Sequence, residues 1–176
     1  MENIIKFINS FLEDEYQAHT SYINERDKEK QLNDANKHRA YFDLKMLNPP
    51  GFFRKGEIND QWFEERKNTE VYKRTLFQIK EYDNEKYGKI YRCYLSNPDY
   101  NKKRYYQCHF IAEIKGNLKI FSIYQIDISL KNLNTSIKDW KIRGGEELKN
   151  LGKPTNIVKI EPPLDNEVHL EEYGKE

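Results

Sequence analysis

The sequence predicts an α+β fold, with N-terminal helices packed on a curved antiparallel sheet. Two periodicities carry this reading. Apolar residues recur at three-or-four spacing up to about Met46, then switch to alternation after Val71. Asn48-Pro49-Pro50-Gly51 separates the two regimes, since two prolines cannot continue a helical hydrogen-bond ladder. The chain has 176 residues, no internal repeat and no linker-like stretch, so 1–176 reads as one domain.

The first helix is expected over 2–26. Ile4, Ile8, Phe11, Leu12, Tyr16, His19, Tyr22 and Ile23 form its apolar face, with Glu13, Asp14, Glu15, Glu25 and Arg26 mostly on the other. A polar stretch, Asp27 to Gln31, breaks or bends it. A second helix is expected from Asn33 or Asp34 to about Met46, burying Ala35, Tyr41, Phe42 and Met46. Phe52 and Phe53 anchor an irregular stretch, and a short third helix starts at Asn59 or Asp60 and carries Trp62 and Phe63.

Strands follow. Val71–Tyr82 is rich in β-branched and aromatic residues, and 87–95 alternates Tyr91, Cys93 and Leu95 against Ile90, Arg92 and Tyr94. Asn97-Pro98-Asp99-Tyr100-Asn101 is a turn by composition. Residues 104–114 set Tyr106, Cys108, Phe110, Ala112 and Ile114 on one face and Tyr105, Gln107, His109, Ile111 and Glu113 on the other. Lys115-Gly116-Asn117 turns the chain into 118–130, where Leu118, Ile120, Tyr124, Ile126, Ile128 and Leu130 are expected to share a face. One strongly apolar and one mixed face per strand predicts helices on one side and water on the other.

Composition narrows the function classes. Hydrophobic residues are 37% and charged residues 34%, but 13 Tyr and 9 Phe supply enough ring area to close a core. A formal net charge of +1 gives no field for nucleic acid or membrane. No apolar run reaches membrane-spanning length, and Met1 to Leu12 lacks the pattern of a signal peptide. Cys93 and Cys108 read as buried free thiols in a reducing, cytoplasmic setting.

No sharp catalytic constellation is present. His19, His38, His109 and His169 fit no metal spacing, Gly144-Gly145 lacks the context of a phosphate loop, and there is no nucleophile elbow. The expectation is no catalytic residue, no metal and no cofactor. Tyr105, Gln107 and His109 beside Gln125 and Asp127 form a polar group able to line a pocket in which an acid and a Tyr work together, but alternate polar residues of this kind ordinarily face water. Lys102-Lys103-Arg104 followed by Tyr105-Tyr106 combines cations with rings, a weak nucleic-acid signal beside a turn.

The last forty or so residues are turn-punctuated: Trp140, Gly144-Gly145-Glu146-Glu147-Leu148, Leu151-Gly152-Lys153-Pro154, Val158-Lys159-Ile160, Pro162-Pro163 and Tyr173. With helices first and a strand meander second, this end resembles bacterial immunity proteins of the nuclear transport factor 2-like fold. The resemblance implies a cone-shaped α+β domain and a non-catalytic inhibitor that occludes a cognate toxin. It transfers no functional residue. The other class sharing such a cone is a small-molecule enzyme or carrier of isomerase or dehydratase type. Candidate toxin contacts are the acidic Glu167, Glu171 and Glu172 with Tyr105 and His109 of the mixed face. The oligomeric state stays open, a dimer included.

Overall fold

The computed structural model describes residues 1–45, 60–66, 68–71, 73–96, 103–129, 141–143, 148 and 151–160. Helix α1 runs Glu2–Asn24 and buries Ile4, Ile8, Phe11, Leu12, Ala18 and Ile23, the stripe that its spacing predicts. It ends where Glu25 turns extended, at φ −85° and ψ 131°. The Asp27 carboxylate then accepts from the backbone N–H groups of Glu29 (2.9 Å) and Lys30 (3.3 Å). That N-cap starts α2 at Lys28, five or six residues earlier than expected from sequence. Asp27→Ala should remove this cap and cost about 1 kcal/mol, read as a lower urea midpoint at unchanged slope.

Helix α2 spans Lys28–Arg39 and stops well short of Met46. Its inward residues are Gln31, Asp34, Ala35 and His38, so polar bonding holds it to α1. The Ser21 hydroxyl bonds Asp34, and Gln31 Nε2 donates to the Ser21 carbonyl at 3.2 Å. Tyr41 and Phe42 leave the helix and run along the sheet instead. Ile120 N–H donates to Tyr41 O (2.8 Å) and Asp43 N–H to Ile120 O (2.9 Å), a parallel bridge outside the named strands. Helix α3, Asp60–Arg66, starts where expected and buries none of its residues. It lies against α1 through rings, Trp62 edge-on to Tyr22 with centroids 6.1 Å apart.

The strands are β1 (Thr75–Asn84), β2 (Gly88–Ser96), β3 (Lys103–Ile114), β4 (Asn117–Ser129), β5 (Lys141–Arg143) and β6 (Asn156–Lys159). They form one antiparallel sheet in the order β5-β4-β3-β2-β1-β6, so the α+β class holds. β1 to β4 are a meander, and β6 returns from the chain's far end to close the outer edge of β1. Lys115 (φ 53°) and Gly116 (φ 78°) both adopt positive φ, the left-handed pair that a two-residue hairpin needs to match strand twist.

Two expectations about faces fail. The sheet is not wet on one side, because a core lies on each face. α1 and the Phe42 segment pack on Leu76, Ile79, Cys93, Leu95, Ile111, Ile120 and Ile123. On the opposite face Phe77, Ile90, Tyr94, Cys108, Phe110, Ala112 and Phe121 are buried with Leu148. The helices therefore cover the mixed face, the one carrying Gln107 and His109. The second failure is a bulge. Phe110 pairs with Ser122 and Ile111 with Ile120, leaving Phe121 as an extra residue. Past that point the alternation changes phase, and Ile123 joins Leu118 and Ile120 on the helix side.

Cys93 and Cys108 are free and buried on neighbouring strands, but they belong to cores on opposite faces. The sheet itself separates the two sulfurs, and burial pushes both thiols up from their ordinary range. Phe52, Phe53, Asn97 to Lys102, Trp140 and Gly144 to Glu147 lie outside the described residues, as do Pro162, Pro163 and Tyr173.

Candidate functional site

Among the described residues, a dense polar cluster lies beneath α1. Glu15 projects from α1 one turn beyond Phe11, and Arg74, just before β1, meets it with a forked contact. Arg74 Nε donates to Glu15 Oε2 at 2.8 Å, and Nη2 bonds Oε1. The third guanidinium nitrogen, Nη1, bonds Gln107 Oε1 on β3. The same amide oxygen lies 3.1 Å from His109 Nε2. His38 of α2 completes the group, its Nε2 3.7 Å from Glu15 Oε1. One guanidinium thus links α1 to β3 and reaches both buried histidines at second hand.

Proton positions follow from these partners. An amide oxygen only accepts, so neutral His109 carries its hydrogen on Nε2. Its Nδ1 is buried with no hydrogen-bond partner among the described residues. Burial, helped by the nearby Arg74 charge, lowers the His109 pKa from 6.5 to about 3. Burial alone would raise the Glu15 carboxyl, but Arg74, His38 and His109 outweigh it and hold it at about 2. His19, one turn beyond Glu15, is lowered chiefly by burial. Near neutral pH the site is therefore an ionised Arg–Glu pair beside a neutral His109.

Phe11 seals the cluster. It is 0% exposed, with its ring 5.1 Å from His109, 5.6 Å from His38 and 5.7 Å from Phe42. His109 is likewise 0% exposed. This corrects two readings: the mixed face does not meet water at His109, and that residue offers no surface to a partner. Glu15 also departs from its expected place on the solvent side, at 14% side-chain exposure. The signal for it was present, because Glu15 follows Ile8 and Phe11 at seven and four residues, on the stripe itself. Arg74 and His38 had no such signal, since charged residues at a strand start and on a polar helix ordinarily face solvent.

The polar group expected from sequence is brought together in register, with Tyr105 opposite Asp127 and Gln107 opposite Gln125. Of these, Gln107 serves the internal cluster. Glu167, Glu171, Glu172 and His169 lie outside the described residues. On the opposite face the Arg92 guanidinium stands 5.1 Å from the Tyr94 ring and 5.4 Å from that of Phe110, in a cation–π arrangement.

An open groove of about 350 Å³ lies where α2 meets the β3–β4 hairpin, lined by Phe7, Ala40, Tyr41, Asn117, Leu118 and Lys119. Among the described residues, no group of three or more His, Cys, Asp or Glu is placed to hold a metal ion. None of their helices is long and apolar enough to cross a membrane. No family model, curated protein or solved structure matches the chain.

Proposed function

We propose that this chain is a non-catalytic protein binder: a cone-type immunity protein that acts in the cytoplasm and neutralises a cognate bacterial toxin by occluding it. The observation that favours a binder is how the described space between α1 and the sheet is used. A carrier or isomerase needs a cavity there, lined by polar groups free to meet substrate. Instead Ile8, Phe11, Phe42, Ile79 and Ile111 fill it, and Glu15, Arg74, Gln107 and His109 bond one another. Two free buried thiols suit a reducing compartment.

The reading is tested by co-expressing the chain with the product of the gene beside its own. Relief of growth arrest, together with a stoichiometric complex of the two purified proteins, is the expected outcome. A small molecule retained by the purified protein in native mass spectrometry, with no relief of arrest, would favour the carrier or enzyme class instead.

The acidic end, Glu167, Glu171 and Glu172, is proposed to steer a basic toxin surface, with Tyr105 as a further contact. Reversing the three carboxylates to Lys should slow association by about tenfold at low salt. The penalty should shrink at high salt, because exposed charges more than a Debye length apart are screened. Stopped-flow association at two ionic strengths checks this, and an unchanged rate would assign the acidic end to ordinary solvated surface.

A further inference from the structure

Among the described residues, the Glu15–Arg74–Gln107–His109 group is the buried side-chain fastening between the helices and the sheet. Lys73 with Glu13 and Lys119 on the Ala40 carbonyl are exposed contacts, and the Tyr41–Asp43 segment after α2 stays bonded to Ile120 as the hinge. Glu15 is on α1, Gln107 and His109 are on β3, and Arg74 joins them. α1 and α2 are fastened to each other separately, through Ser21 with Asp34 and Gln31 with the Ser21 carbonyl, so they can move as one layer. The sheet's other face has its own core around Tyr94, Phe110 and Phe121, to which none of α1, α2 and α3 contributes a residue. Lifting the helices would leave that core in place.

The groups around His109 set the sign of its response to acid. Arg74 stands before β1, Glu15 and the Phe11 ring come from α1, and His38 comes from α2. Gln107 is on the same strand, Cys93 is paired opposite on β2, and Ile123 is opposite on β4. The carboxylate among them is already forked to the guanidinium, and His109 Nδ1 has no acceptor among the described residues. A proton taken up there in the closed state would sit buried beside the Arg74 charge.

We propose that this group is an acid-released clasp: mild acid lifts the α1–α2 layer off the sheet while the β1–β4 meander stays folded. This goes beyond toxin binding and does not depend on it. The driving force is proton uptake by groups that are buried in the closed state and hydrated in the open one. His109 resists protonation down to about pH 3 when closed, against an ordinary value of 6.5. Each pH unit below 6.5 therefore favours opening by roughly tenfold, on the order of a hundredfold at pH 4.5. Glu15 adds to this only below its ordinary value of 4.5.

Hydrogen exchange followed by mass spectrometry at pH 7 and 4.5, corrected for intrinsic exchange rates, tests the clasp on the full chain. Peptides from 2–39 should gain exchange by about a hundredfold, and peptides from 88–96 and 107–123 by less than a tenth of that. His109→Gln keeps an amide donor for Gln107 without the titration, and should cut the helix response by about tenfold or more. Equal gains in helices and strands, an unresponsive helical layer, or an unchanged response in His109→Gln would each overturn the proposal. Should His109→Gln not fold, the wild-type comparison of the two layers still decides. Ring-proton NMR gives a further reading, since a His109 titrating near 6.5 in the folded protein would also overturn it.

Discussion

Arg74→Met is expected to destabilise the protein by about 3–5 kcal/mol, because it strands a buried carboxylate. Arg74 and Glu15 are only 13% and 14% exposed at the side chain, so water replaces little of what is lost. Gln107 Oε1 loses a donor in the same step. Urea denaturation at pH 7 measures the cost, and a midpoint within error of wild type would mean that the pair is dispensable. Glu15→Gln combined with Arg74→Met should recover much of the loss, since a neutral amide is cheaper to bury than a lone charge.

The pH dependence gives that prediction a second reading. In the wild type Glu15 is depressed to about 2 from 4.5, so its contribution is full above 4.5 and is lost as pH falls toward 2. Without Arg74, burial pushes the carboxyl up instead. A raised folded value makes the acid form the stable one, so the penalty in Arg74→Met should shrink as pH falls. Two urea midpoints converging from pH 7 to 4 would bear this out.

Phe11→Ala should cost a further 3–5 kcal/mol or about that, from lost burial and the cavity left behind. The ring is fully buried and lies over both histidines, Tyr41 and Phe42. Its removal also admits water to the cluster, so His109 should titrate closer to 6.5 in the folded variant. Phe11→Leu keeps most of the apolar volume and should cost less while leaving His109 neutral in mild acid. A His109 titration that does not move in Phe11→Ala would show that the ring is not what excludes water.

Much of the fold was legible because local rules and tertiary packing agree. Ile4, Ile8, Phe11 and Leu12 repeat at helical spacing and are the residues that α1 buries. Lys115-Gly116 turns the chain where two alternating runs meet, and Asp60 opens α3. α2 was misplaced because its inward side, Gln31, Asp34 and His38, carries no hydrophobic period, and because the Asp27 cap outranks the apolar residues that follow it.

The sequence by itself determined α1, α3 and the four strands β1 to β4, with helices before strands, and hence an α+β chain whose sheet is antiparallel. These follow from periodicity, turn residues and caps, which act over a few residues. It did not determine the bounds of α2 or the short strands β5 and β6. Only the tertiary structure decided which sheet face the helices cover, where the Phe121 bulge shifts the alternation, and that Glu15, Arg74, Gln107 and His109 meet. Those residues lie up to 94 positions apart along the numbering (109 − 15 = 94), so no local pattern couples them. Their burial rests on mutual pairing: each polar group alone would be costly inside, and together they satisfy most of one another's hydrogen-bonding capacity.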